Sequence, residues 1–222
     1  MHRLVLCLLA GTLLAPASGS GKHPLTGRDY AGVMGAGGAD WLIRPEREQE
    51  EQPNLAVELM GVRKGMTVAD VGAGAGYFSV KLARKVGPEG VVFATDIQPR
   101  MLELLRDYAA QHGLTNIRPV LSEPQDAALP HNQVDLALLV DVYHEFSHPR
   151  EMLRSIRRAL KPGGRLVLIE YRKEDPSVPI LEDHRMSVKT VRAELEPEGF
   201  VLDKLYSRLP RQHLFVFKRK SE

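Results

Sequence analysis

The chain has 222 residues, 43% of them hydrophobic, and a net charge of +2 at neutral pH. That length suits one sizeable domain and is short for two, and so small a charge gives no case for nucleic acid or an acidic membrane as a partner. The single cysteine, Cys7, sits in the first apolar run, which removes disulfides, thiolate metal sites and a cysteine nucleophile from everything after it.

His2 and Arg3 precede an apolar run, Leu4 to Leu14, and Ala15-Pro16-Ala17 follows it. A basic start, a short apolar stretch and a small-x-small site make a signal peptide, 1–17, cleaved after Ala17. The run is short for a membrane span, so no stable membrane insertion is expected after cleavage. The expected location is periplasmic or secreted if the leader is used, and cytoplasmic otherwise. Residues 18–52 read as a loose, glycine-rich tether running into a lid segment that carries Tyr30, Trp41 and Arg44. The domain proper is expected to span 53–222.

Pro53 opens a helix with Leu55, Ala56, Leu59 and Met60 on its buried face. From Gly65 the pattern alternates. Short strands are predicted at Thr67–Val71, Val91–Thr95, Ile117–Leu121 and Val134–Val140, with helices at Tyr77–Val86 and Pro99–Gln111 between the first three. A helix from Glu151 to Leu160 is closed by Lys161-Pro162-Gly163-Gly164. A strand at Arg165–Tyr171, a helix at Ser187–Leu195 and strands at Phe200–Ser207 and His213–Phe217 complete the chain. Such alternation predicts an α/β fold with a parallel sheet and helices on both faces. The last two strands are joined by too few residues for a parallel crossover, so they pair antiparallel at one edge.

The strongest motif is VADVGAGAGYFSVKLA, from Val68 to Ala83. A strand ends near Asp70, and Gly72, Gly74 and Gly76 alternate before a helix. Glycines allow a sharp turn and a close backbone approach to a ligand, and the helix start offers free N–H groups. A dinucleotide site wants G-x-G-x-x-G, which would place its third glycine where Tyr77 stands. No Lys-Ser/Thr pair follows, so this is not a Walker phosphate loop either.

The spacing G-x-G-x-G with an acid two residues ahead resembles motif I of the class I S-adenosylmethionine-dependent methyltransferases. The resemblance runs from about Pro53 to the C-terminus, and the LKPGG turn and strand order agree with it. It implies a three-layer Rossmann-like fold with a seven-stranded, mostly parallel sheet and an antiparallel last strand. It also implies S-adenosyl-L-methionine as cofactor, with Asp70 holding the methionine amino group and Gly72, Ala73, Gly74 and Gly76 passing under the adenosine. Asp96, with Ile97 beside it, would hold the ribose, since a carboxylate can accept from two adjacent hydroxyls. Glu123 or Asp126 would meet the adenine edge, and Val140 would line the pocket from the fourth strand.

The stretch HEFSH, His144 to His148, matches H-E-x-x-H, a pattern that places two zinc ligands on one helix face. Pro149 follows directly and disfavours helical geometry at His148, and no third ligand stands at a familiar spacing, so no zinc helix is expected. A metal between Asp141 and Glu170, roughly where catechol-type methyltransferases place metal-binding acids, is a variant. The chain lacks their Asp-Asn pair after the fifth strand.

Ligands of open α/β sheets bind beyond the carboxyl ends of the strands. The catalytic expectation is therefore His144 as base, oriented by Glu145 or Asp141. Tyr30, Trp41, Tyr143, Glu170, Tyr171 and His184 are expected to line an acceptor site for a small molecule, methylated on oxygen or nitrogen. Two alternatives stay open: a non-catalytic S-adenosylmethionine-binding or sensor module, and a protein methyltransferase.

Overall fold

The computed structural model describes residues 21–220; the expected leader, 1–17, and its cleavage site lie outside them. Three short helices come first, α1 (Ala39–Leu42), α2 (Arg47–Glu50) and α3 (Pro53–Leu59). The alternating part follows: β1 (Thr67–Val71), α4 (Tyr77–Val86), β2 (Val91–Asp96), α5 (Pro99–Gln111), β3 (Ile117–Leu121), β4 (Val134–Val140), α6 (Pro149–Ala159) and β5 (Leu160–Arg172). A two-residue strand β6 (Arg185–Met186), α7 (Val188–Leu195), β7 (Phe200–Tyr206) and β8 (Gln212–Arg219) end the fold.

The sheet order is β3-β2-β1-β4-β5-β8-β7, with β6 paired to the end of β5. All pairings are parallel except those of β8, which runs antiparallel to both β5 and β7. The expected seven strands with an antiparallel last one are therefore present, and β6 is an addition. The sheet is apolar on both faces because helices cover both. Along β4, Ala137 and Leu139 face one core while Leu136 and Leu138 face the other; β5 divides Leu166 and Leu168 from Val167 and Ile169 in the same way. Helix α6 supplies one face through Met152, Leu153, Ile156 and Ala159 and keeps Glu151, Arg154 and Arg158 outside.

Two expectations change. The Lys161–Gly164 stretch was expected as a helix stop only; it lies inside β5. Leu160 already pairs with Val134, the register then shifts, and Arg165 pairs with Leu136, so Lys161 to Gly164 bulge out opposite Asp135. Residues 21–52 are docked rather than loose. Arg47 and Glu51 form a buried pair at 2.7 Å, and the Tyr171 hydroxyl donates to Glu51 at 2.9 Å. Farther up the chain, Arg28 makes a two-pronged pair with the fully buried Glu194 of α7, both contacts at 3.1 Å, and Thr26 donates to the same carboxylate. Among the described residues no helix is long and apolar enough to cross a membrane.

Candidate active site

The first half of the site lies at the carboxyl ends of β1 and β2. Gly72, Gly74 and Gly76 have φ of 71°, 53° and 90°, the left-handed region where a side chain is strained. A Cβ on Gly72 would stand 2.4 Å from Val142 Cγ2, and one on Gly74 would stand 2.7 Å from Leu42 Cδ1. The turn is thus a bare-backbone cradle that any other residue would fill. Asp96 is fixed by two backbone donors, Gly74 N–H at 2.9 Å and Gln98 N–H at 2.9 Å. Asp70 accepts from the Ser79 hydroxyl at 2.6 Å. Burial pushes Asp70 up to about 6 despite that bond, and the nearby Asp96 adds to the push. Two buried acids side by side suit a ligand that brings an ammonium to one and hydroxyls to the other. S-adenosylmethionine carries both, so these residues fit it. Ile97, 39% exposed, follows Asp96 directly.

Of the two acids expected at the adenine edge, Asp126 spends its Oδ1 on the Ser155 hydroxyl of α6 and the Ala128 N–H. Glu123 is exposed, paired through the backbone with Asp126, and accepts from Gln125. Val140 ends β4, half-buried against the core.

The second half lies beyond β4 and β5. HEFSH is not one helix. Tyr143–Glu145 form a single 3-10 turn, and α6 begins at Pro149 with an exposed His148 at its N-cap bonded to Ser147. The turn buries His144 completely. Its Nδ1 meets Glu170 Oε2 at 2.6 Å, while Glu170 Oε1 accepts the Tyr143 N–H at 3.0 Å. Burial works against the imidazolium, but Glu170 outweighs it and holds His144 above its ordinary value. Its Nε2 is buried without a hydrogen-bond partner. Burial likewise pushes Glu145 up to about 7, with His144 opposing. The His184 ring lies 5.0 Å from the His144 ring, tilted by 60°.

The side chain hydrogen-bonded to His144 is Glu170, expected as an acceptor contact or a metal-binding acid, and not Asp141 or Glu145. Asp141 has φ of 50° and accepts from Gln212 at 2.7 Å, with Arg47 at 3.8 Å. Tyr143 is wholly buried in the core, its hydroxyl 3.5 Å from His23 Nε2. Tyr171 faces Glu51 in the cluster that anchors the lid.

The lid crosses this half. Ala31 N–H and the Arg28 guanidinium both donate to the His144 carbonyl, at 3.1 and 2.9 Å. Met34 N–H donates to Glu145 at 3.3 Å, and Gln98 donates to the Met34 carbonyl, which ties the lid to the cofactor half. Tyr30 is buried next to Ala31; Trp41 remains 39% exposed beneath the Arg44 guanidinium. A polar cleft of about 600 Å³ opens between Thr26, Arg28 and Asp29 of the lid and Lys173, Asp183 and Arg185 beyond β5. Arg28, Glu194 and Thr26 were not expected in any role. The signal that could have found them is an acid between Val191 and Leu195, on the buried face of α7.

Residues 62–204 match a family described as a methyltransferase domain. A crystal structure of an S-adenosylmethionine-dependent methyltransferase from Aquifex aeolicus is similar with a TM-score of 0.80 at 27% identity, covering 84% of this chain and 100% of that one. The ubiquinone/menaquinone biosynthesis C-methyltransferase UbiE of Pseudomonas putida (strain GB-1) is 37% identical over 120 residues, 54% of this chain and 47% of the relative. That of Ectopseudomonas mendocina (strain ymp) is 36% identical over 128 residues, 57% and 49%. The chain spans about half the length of these curated relatives. The chain belongs to the methyltransferase-domain family, the class I Rossmann-like enzymes that depend on S-adenosylmethionine.

Proposed function

We propose that the protein transfers a methyl group from S-adenosylmethionine to an oxygen or nitrogen atom of a small molecule held where His144, Glu145 and His184 converge. The observation that carries this reading is His144, locked by Glu170 through Nδ1 with its buried Nε2 left for an outside group. A cleft of about 600 Å³, lined by Arg28, Asp183 and Arg185 and not by His144, Glu145 or His184 themselves, is within the size range of small-molecule sites. S-adenosylmethionine supplies an electrophilic methyl group. The protein's own part is alignment and exclusion of water. Asp70, the Gly72–Gly76 turn and Asp96 would hold the donor. The lid, latched by Arg28 to Glu194 and to the His144 carbonyl, closes the mouth. His144 meets the acceptor's proton-bearing atom.

Methylation at carbon, the chemistry in the relatives' name, is a second reading, favoured by the 37% identity over the shared segment. Its demands on His144 are similar where a neighbouring hydroxyl must first lose a proton.

The test is calorimetry with S-adenosylmethionine, followed by methyl transfer from labelled donor to a library of phenols, carboxylates and amines. Binding followed by labelling of one class supports the proposal, and the product's methyl carbon shift separates O-, N- and C-methylation. Binding with no acceptor in any class would leave a cofactor-binding module.

A further inference from the structure

We propose that His144, Glu145 and His184 bind a divalent transition-metal ion, and that this ion receives the acceptor's oxygen. The inference rests on the methyl-transfer reading for the second of these roles and on geometry alone for the first. Among the described residues, these three offer ligand atoms that all lie within 4.8 Å of one another. Two imidazoles and one carboxylate are a zinc-type set, and three protein ligands leave a position for an exogenous one.

Three further observations point to an ion. His144 Nε2 is fully buried with no partner, which costs about 1–3 kcal/mol in a protein interior unless a donor or a cation meets its lone pair. Both histidines are held through Nδ1 by carboxylates, His144 by Glu170 at 2.6 Å and His184 by Asp183 at 2.9 Å. A metal-ligating histidine is oriented in this way, with the outer carboxylate fixing the tautomer that leaves Nε2 free. Finally, Glu145, Glu170 and Asp183 gather three acids around two histidines, a charge balance that suits a dication.

Bond lengths of about 2.0–2.2 Å put tetrahedral ligands about 3.5 Å apart. The trio must therefore close by about 1 Å, and the half-buried Glu145 and His184 both sit on single 3-10 turns. The H-E of HEFSH belongs to this site and its last histidine does not, because His148 is exposed beyond the turn. The metal-assisted alternative through Asp141 and Glu170 finds both oxygens of Glu170 engaged, with His144 and the Tyr143 N–H, so that Asp141, whose Oδ2 accepts from Gln212, is left without a second ligand there. With its Nε2 on the ion, His144 is a ligand in place of the base, and an acceptor hydroxyl on the ion would give its proton to solvent more readily, as metal-bound water does.

The full chain, stripped with chelator, is titrated with Co²⁺ as a visible-absorption probe and with Zn²⁺ by calorimetry. One equivalent should bind with a d–d spectrum of nitrogen and oxygen ligation. His184→Ala and His144→Gln should each weaken binding more than about 100-fold, beyond the 10- to 100-fold cost of losing an outer partner, and Asp183→Asn should fall in that smaller range. His148→Ala should change nothing. Circular dichroism and melting show which variants are folded. Folded His184→Ala that binds Co²⁺ as tightly as the wild chain overturns the site. Full transfer by metal-free protein overturns the ion's role while leaving methyl transfer standing; metal binding without S-adenosylmethionine binding does the reverse.

Discussion

At the ends of β1 and β2 the site is made of a glycine turn of bare backbone, Gly72 to Gly76, and two acids at the ends of neighbouring strands, Asp70 and Asp96, the second pinned by two amides. At the ends of β4 and β5 it is made of side chains from four distant segments: the lid, the 143–145 turn, Glu170 and His184. The first half is held by short-range bonds between two adjacent parallel strand ends: Gly72 and Ala73 N–H donate to the Thr95 carbonyl and Gly74 N–H to Asp96. The second half exists only once the lid has docked and the sheet has brought β4 and β5 into register. The difference suits a division of labour in which the fixed half takes a constant cofactor and the assembled half takes the variable acceptor.

The largest expected effect separates the halves most clearly. His144→Gln keeps a polar side chain in the buried slot but removes the imidazole proposed to meet the acceptor or to hold the ion that does. Turnover should fall by about 10²- to 10⁴-fold, the usual contribution of a proton-handling group. Steady-state kcat on a fluorescent or labelled acceptor is the measurement. A kcat within a few fold of wild type would remove His144 from the chemistry.

Next comes the latch. Arg28→Ala leaves Glu194 as a buried carboxylate without its two-pronged partner. Breaking such a pair costs about 3–5 kcal/mol, which should appear as earlier proteolysis within 21–38 and a lower Tm. Unchanged protease resistance would mean the lid is held by the Arg47–Glu51 cluster alone.

The cofactor half predicts a pH effect. Asp70 titrates at about 6 in the folded protein, above the ordinary 3.8. Because the folded value is raised, its contribution to the free protein's stability is fully present below about 4 and lost as pH rises through about 6. An ammonium ligand reverses the preference by favouring the carboxylate. Affinity for S-adenosylmethionine should therefore fall up to about tenfold per pH unit below 6. Asp70→Asn should bind more weakly at neutral pH and lose that slope. A flat profile in the wild chain would separate Asp70 from the cofactor.

The same contrast explains what could be read from the sequence. Gly72, Gly74 and Gly76 announce themselves because glycine adopts left-handed φ values at no steric cost, and Asp70 and Asp96 because each stands at or next to the end of an apolar strand. The parallel sheet followed from alternation and the antiparallel final pair from one short connection, while the seven-stranded sheet with an antiparallel last strand came from the family resemblance. The choice between Asp141, Glu145 and Glu170 as partner of His144 did not, because all three leave neighbouring strand ends and only side-chain direction separates them. The docked lid was hidden for a different reason. Its anchors are buried ion pairs, Arg28 with Glu194 and Arg47 with Glu51, and one member of each pair looks like an ordinary surface charge in the sequence. HEFSH has the spacing of a zinc helix but not its conformation, as Pro149 led one to expect, yet its first two residues do converge with a distant histidine.

One calorimetric comparison tests the central claim, that a backbone cofactor site and a side-chain acceptor site work as separable halves. S-adenosylmethionine is titrated into the wild chain, Asp96→Ala and His144→Gln at neutral pH. Asp96→Ala should weaken binding about 10- to 100-fold, as expected for losing hydrogen bonds to a charged group. His144→Gln should stay within about twofold, as for sites without shared partners. Equal losses in both variants, or none in Asp96→Ala, would contradict the account.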